Sequence, residues 1–244
     1  MKCLLALALL TGFHMAQAQT TVFSTDFDSG MAAPLNPGTA TLTGVQGFSG
    51  LGSVGNTFGG QFLRSATGNV VTLTLNDLPT HTQISVDFLL AAIDSLDGTG
   101  TFPSGDFLKI TLDGATIFRE SFANALPSQI QSYVPAAGVE LARHVDLGFG
   151  GPGSYYTDSA YHLGADPALH HLAHTGAVAT FTFQIEGEGI QSLDDESWAM
   201  DNLRVSVSAV PEPEVVWLTG AGLLALWAHR SRQNRQNRQN RLLA

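Results

Sequence analysis

Cysteine is almost missing from this 244-residue chain: Cys3 is the only one. A thiol that close to the N-terminus leaves everything after it without a disulfide or a cysteine nucleophile. Charge is scarce as well. Asp, Glu, Lys and Arg make up 13% of the residues, about half of the ~25% usual in soluble domains. The shortage falls on the basic side. Between Gln19 and Val210 the cations are Arg64, Lys109, Arg119, Arg143 and Arg204, five against nineteen acidic residues, a net −14. A surface of that sign repels nucleic acid and offers no basic stripe for phosphate. Common catalytic signatures are lacking too: there is no Gly-x-Ser-x-Gly elbow, no phosphate loop and no His-Glu-x-x-His pair.

What the chain has in quantity is glycine, 26 residues of it, with Ser, Thr, Asn and Asp crowded between short apolar runs. Residues 69–75 alternate apolar and hydroxyl side chains, the period of a half-buried strand. Residues 83–93 begin with Ile84, Val86 and Phe88 on one face and then become uniformly apolar. Asp113-Gly114 between the runs 107–112 and 115–122 is a hairpin signal. Residues 177–185 give the clearest alternation, and 198–207 read as a closing strand. Further short strands are expected at 20–27, 39–45, 61–65 and 139–147, with the rest of 124–176 irregular. About ten strands without a helical period predict an all-β fold, an antiparallel β-sandwich of jelly-roll type.

The two ends read differently. Lys2, the apolar centre from Leu4 to Leu10 and Ala16-Gln17-Ala18 make a secretory signal peptide of residues 1–18, so the exported chain starts at Gln19. At the other end, Val210-Pro211-Glu212-Pro213 precedes an uncharged run from Val215 to Ala228, followed by His229-Arg230-Ser231-Arg232. Two prolines within three residues break a helix or a central strand. Arginines directly after an apolar run form a stop-transfer flank. The run is 14 residues long, whereas crossing ~30 Å of hydrocarbon takes about 20. Its length alone fits a buried core helix; its setting fits a membrane segment. An Arg-Gln-Asn repeat of period three then ends the chain as low-complexity sequence.

In its order of blocks this C-terminus resembles the PEP-CTERM sorting signal of Gram-negative bacteria, with Pro211, Glu212 and Pro213 as the matching motif residues. The resemblance implies recognition by an exosortase, a membrane-embedded cysteine protease-transpeptidase of the inner membrane, in a species that makes exopolysaccharide. The expected organisation is a signal peptide (1–18), a β-sandwich ectodomain (19–209), a sorting signal with a single transmembrane helix (210–232) and a basic tail (233–244).

Carboxylates are the candidate chemistry of the ectodomain. Asp94, Asp97 and Asp106 lie on one loop beside Gly98 and Gly105. Calcium takes six to eight oxygens from carboxylates, carbonyls and water, which such a loop can supply; the same aspartates can instead cap backbone N–H groups in an ordinary turn. Residues 197–205 resemble the final strand of jelly-roll adhesion and carbohydrate-binding modules. Residues 93–98 with 105–107 are similar to a loop and strand of bacterial extracellular sandwiches. These resemblances imply a fold and a second calcium set, Asp26 and Asp28 on the first strand with Asp201 on the last. Of the histidines His162, His170, His171 and His174, the last and His170 are four apart, as zinc ligands on a helix are; in this Gly/Pro-rich setting they read as solvated. Glu186, Glu188, Asp194, Asp195 and Glu196 could hide a glycosidase acid pair, but clustered in one loop they read as solvated acidity or as further cation binding. Tyr155, Tyr156 and Tyr161 are candidates for a sugar-stacking surface.

Together these features predict an exported, non-enzymatic protein with a structural or adhesive role in the envelope or exopolysaccharide matrix. The expected partners are an exosortase and the inner membrane. The alternative is a calcium-dependent carbohydrate-binding module, with an extracellular hydrolase behind it.

Overall fold

Side chains on successive strand residues point to opposite faces, so an alternating sequence makes a sheet with one wet and one dry side. In the computed structural model, which describes residues 19–99, 105–149, 156–188, 190–209, 220 and 222–233, fifteen strands follow one another. The first eight are β1 (Gln19–Thr25), β2 (Leu35–Asn36), β3 (Thr41–Gly44), β4 (Gly52–Ser53), β5 (Asn56–Thr57), β6 (Gln61–Ala66), β7 (Val71–Leu75) and β8 (His81–Asp94). The rest are β9 (Phe107–Leu112), β10 (Ala115–Ser121), β11 (Glu140–Val145), β12 (Asp158–His162), β13 (Leu172–Ala173), β14 (Ala179–Glu186) and β15 (Glu196–Ala209).

Two antiparallel sheets hold most of them. The smaller has the order β10-β9-β14-β7-β2, and the larger runs β11-β12-β8-β15-β6-β3, with β1 also on β15 and β13 on β8. In β14, Ala179, Phe181, Phe183 and Ile185 are buried while the residues between them are half-exposed. They share one apolar core with Leu73, Leu108 and Ile110 of the smaller sheet and Val86, Phe88, Trp198 and Met200 of the larger. The architecture is therefore a β-sandwich.

The uniformly apolar stretch of β8 has a second cause. Leu90 and Ala92 face that shared core, but Leu89, Ala91 and Ile93 face another, on the outer side of the larger sheet. Phe48, Phe58, Phe62 and Phe149 fill it, with ring centroids 5.4–6.4 Å apart. The glycine-rich segment around β4 and β5 is thus a cover over the sheet. β12 was hidden for the same reason. It runs within 124–176, expected to be irregular apart from 139–147, and Asp158, Ser159, Ala160 and Tyr161 are all buried, so no alternation marks it.

Residues 222–233 form an α-helix whose Leu223, Leu224, Leu226 and Trp227 are exposed. Among the described residues no helix is long and apolar enough to cross a membrane. The signal peptide of 1–18 and the motif Pro211, Glu212 and Pro213 lie outside the described residues.

A candidate cation site of buried carboxylates

β8 ends at Asp94 in a left-handed conformation, φ 65°, which Asp tolerates better than most side chains. This turns the chain into the acidic loop. Leu96 plugs into the shared core, and its carbonyl accepts the N–H groups of Asn124 and Ala125. Asp97 then bridges Ala123. Gly98 is required here: a Cβ on it would fall 2.4 Å from the Ile130 carbonyl oxygen, at a φ of +70°. The chain returns at Asp106, just ahead of β9, while Glu196 opens β15 directly opposite Asp94.

This routing brings Asp97, Asp106 and Glu196 together, each with a carboxylate oxygen within 4.8 Å of the others. Hydrogen bonds hold all three in place. Asp97 N–H donates to Asp106 Oδ2 at 2.5 Å, and Gln129 Nε2 donates to Asp97 Oδ1 at 2.5 Å. Glu196 accepts from Thr67 Oγ1 at 3.3 Å and from Gln191 Nε2 at 3.0 Å. Glu196 is fully buried and Asp106 nearly so.

Burial therefore dominates their electrostatics. It pushes Glu196 up to about 8, with the charges of Asp106 and Asp97 adding to the effect. It pushes Asp106 up to about 6, and raises Asp97 as well. Among the described residues no Lys, Arg or His forms an ion pair with any of the three. Like charges this close and this dry must bind protons or a cation.

The loop aspartates expected from sequence thus divide. Asp97 and Asp106 meet, and Glu196 joins them. Asp94 lies across the ladder from Glu196, and its N–H donates to Asp158 Oδ1 at 3.0 Å. Burial pushes Asp158 itself up to about 6. The second set is drawn to one glycine-rich turn. Asp28 Oδ1 accepts from Gln61 N–H at 2.7 Å, and Asp201 Oδ2 from Gly59 N–H at 3.1 Å. Burial pushes Asp201 up to about 7, and Asp28 and Asp26 contribute. Asp26 Oδ1 accepts from Asp28 N–H at 3.2 Å, so part of its role is a turn cap.

Other expectations need correction. The acidic loop is not uniformly solvated: Glu196 is buried, and Glu186 pairs with Arg119 at 2.8 Å and Lys109 at 3.2 Å, which holds its carboxyl below the usual range. The histidines are not simply solvated either. The His174 ring stacks on His81 and contacts Asp113 at 3.1 Å, and its side chain is only 6% exposed. His170 Nε2 lies 2.6 Å from the Gly164 carbonyl oxygen. Tyr161 is buried among Phe122 and Tyr133 and offers no surface to a sugar.

No family model matches the chain, and neither does any curated protein. Solved structures do show partial likeness. A xylan-binding CBM22-2 domain of Paenibacillus barcinonensis Xyn10C is 12% identical with a TM-score of 0.34, covering 76% of this chain and 99% of that one. A GH115 4-O-methyl-α-glucuronidase, BtGH115A, is 12% identical with a TM-score of 0.36, covering 81% of this chain and 19% of its own. The catalytic domain of a GH87 α-1,3-glucanase is 16% identical with a TM-score of 0.31, covering 82% and 29%. Likeness at this level defines neither a family nor a site.

Proposed function

We propose that the chain is an exported, calcium-braced β-sandwich with a structural or adhesive, non-enzymatic role in the envelope or exopolysaccharide matrix, sorted there by an exosortase that recognises Pro211-Glu212-Pro213. Two kinds of observation support the reading. The order Pro-Glu-Pro, apolar run, arginines supports the sorting. The observation that carries the calcium is the meeting of Asp97, Asp106 and Glu196 within 4.8 Å, the last two buried and Asp97 half-buried, without a cationic partner among the described residues. A hydrolase would need a carboxyl open to a glycosidic bond. Glu196 is closed off by its own partners Thr67 and Gln191, which favours an ion over a sugar.

The test is a thermal melt of the exported protein with calcium and with chelator. An ion that binds the folded state alone stabilises it by about 2.7 kcal/mol at a hundredfold excess over Kd, so chelator lowers the melting temperature by several degrees. Identical melting curves reject the calcium. Glycan binding that disappears with chelator is the outcome that favours the lectin-like alternative.

A further inference from the structure

On the outer face of the larger sheet the β4–β5 hairpin meets β8 and the end of β12 through three polar side chains. His162 Nε2 is 3.0 Å from the Asn56 amide nitrogen and 3.5 Å from Asp87 Oδ1. Asn56 Oδ1 and Asp87 Oδ1 are both buried without a hydrogen-bond partner. The turn after β12 closes over the carboxylate: a Cβ on Gly164 would fall 1.7 Å from Asp87 Oδ1. A buried oxygen left in this state costs free energy.

Protons alone serve this triangle poorly. With Nε2 bare, it accepts from the Asn56 amide, and its lone pair then faces the Asp87 carboxylate. With Nε2 protonated, the N–H points toward Asp87 but meets the amide hydrogens of Asn56. Turning the amide end for end, which exchanges its oxygen and nitrogen, leaves one N–H shared between two buried oxygens. A cation in the place of that proton satisfies the imidazole nitrogen and both oxygens together.

We propose that His162, Asp87 and Asn56 bind a divalent transition-metal ion of the zinc type. Bonds of ~2.0–2.2 Å at a tetrahedral angle put neighbouring ligand atoms about 3.3–3.5 Å apart. The observed 3.5 Å between His162 and Asp87 fits that figure. The imidazole ligand and the low oxygen count select zinc over calcium. Side-chain exposures of 15% for His162 and 23% for Asp87 leave a path for water to the fourth position. The site is distinct from the carboxylate cluster: Asp87 and Asp94 are seven residues apart on β8, roughly 23 Å along a strand. Bound there, the ion clamps the hairpin, and with it the aromatic cover, onto the sheet.

The experiment uses the exported protein in excess calcium, titrated with zinc and separately with cobalt. Zinc raises the melting temperature of the native protein and of His174→Ala, but not of His162→Ala. Cobalt gives the visible absorption of a tetrahedral nitrogen/oxygen site. Asn56→Asp, which adds a charge to the ligand set, tightens zinc about tenfold. A native protein indifferent to zinc overturns the proposal, as does a zinc response unchanged in His162→Ala. If His162→Ala does not fold, Asn56→Asp decides alone: affinity no better than native overturns it.

Discussion

Glu196 concentrates the electrostatic strain of the β-sandwich in one side chain. Its ordinary carboxyl value is about 4.3, and in the fold it stands at about 8, above Asp106 at about 6. Both are raised, so their contribution to stability is complete below about pH 4 and is lost as pH rises through about 6 and then about 8. Asp158 at about 6 and Asp201 at about 7 act in the same sense. Melting temperatures measured in chelator should therefore fall between pH 5 and pH 8, and calcium should flatten that slope; a chelated protein that gains stability over this range contradicts the assignment. Glu196→Gln replaces a carboxyl that is mostly protonated at pH 7 by a neutral amide of the same shape, which cannot ionise to bind a cation. At pH 7 it should leave the chelated protein as stable as the native one or more so, while abolishing its response to calcium at this cluster. Sequence pointed to Asp97 and Asp106 through the glycines beside them, and to Glu196 only as one carboxylate of a separate acidic loop, not as their partner. It is 90 residues from Asp106, and only the register of β15 against β8 brings it there.

At the scale of elements, strands with one wet face were legible by alternation, and the long two-faced β8 by its continuous apolar run, but the short two-faced β12 was not. β7, β9 and β14 announce themselves by alternation, because the smaller sheet has an open outer side. β12 gave no such signal, since it is buried on both sides between β11 and β8. The aromatic cover was hidden for another reason: Phe48, Phe58 and Phe62 are separated by glycines and polar residues, and only long-range contacts gather them with Phe149. Phe58→Ala should cost about 3–5 kcal/mol, the usual cost of emptying a buried phenylalanine site. Hydrogen exchange should then rise first in residues 45–60, the segment that forms the cover. Chemical denaturation showing no loss would mean that the outer cluster adds nothing to stability.

At the scale of the whole molecule, the sandwich was foreseeable from strand count and composition, whereas the fate of the two ends rests on their sequence alone. Replacing Pro211-Glu212-Pro213 with alanines should block processing and leave a larger, membrane-retained form. Cell fractionation and mass analysis read this directly. Release of the variant at the native rate would show that the three residues are not the recognition element. N-terminal sequencing of the exported form should begin at Gln19.

The strand that leads into the C-terminal segment is also the most heavily paired in the fold. β15 runs from Glu196 opposite Asp94 to Ala209 opposite His81, with β1 and β6 bonded along parts of its other edge. Any pull transmitted from residue 210 onward enters at Ala209, along the axis of that strand and across its hydrogen bonds. The ladder is then loaded in shear, with many bonds sharing the force, instead of being opened one at a time from an end. Held by its C-terminus, the sandwich resists pulling through the mechanics of this central strand, and single-molecule extension from that end should show one high-force event rather than a series of low ones.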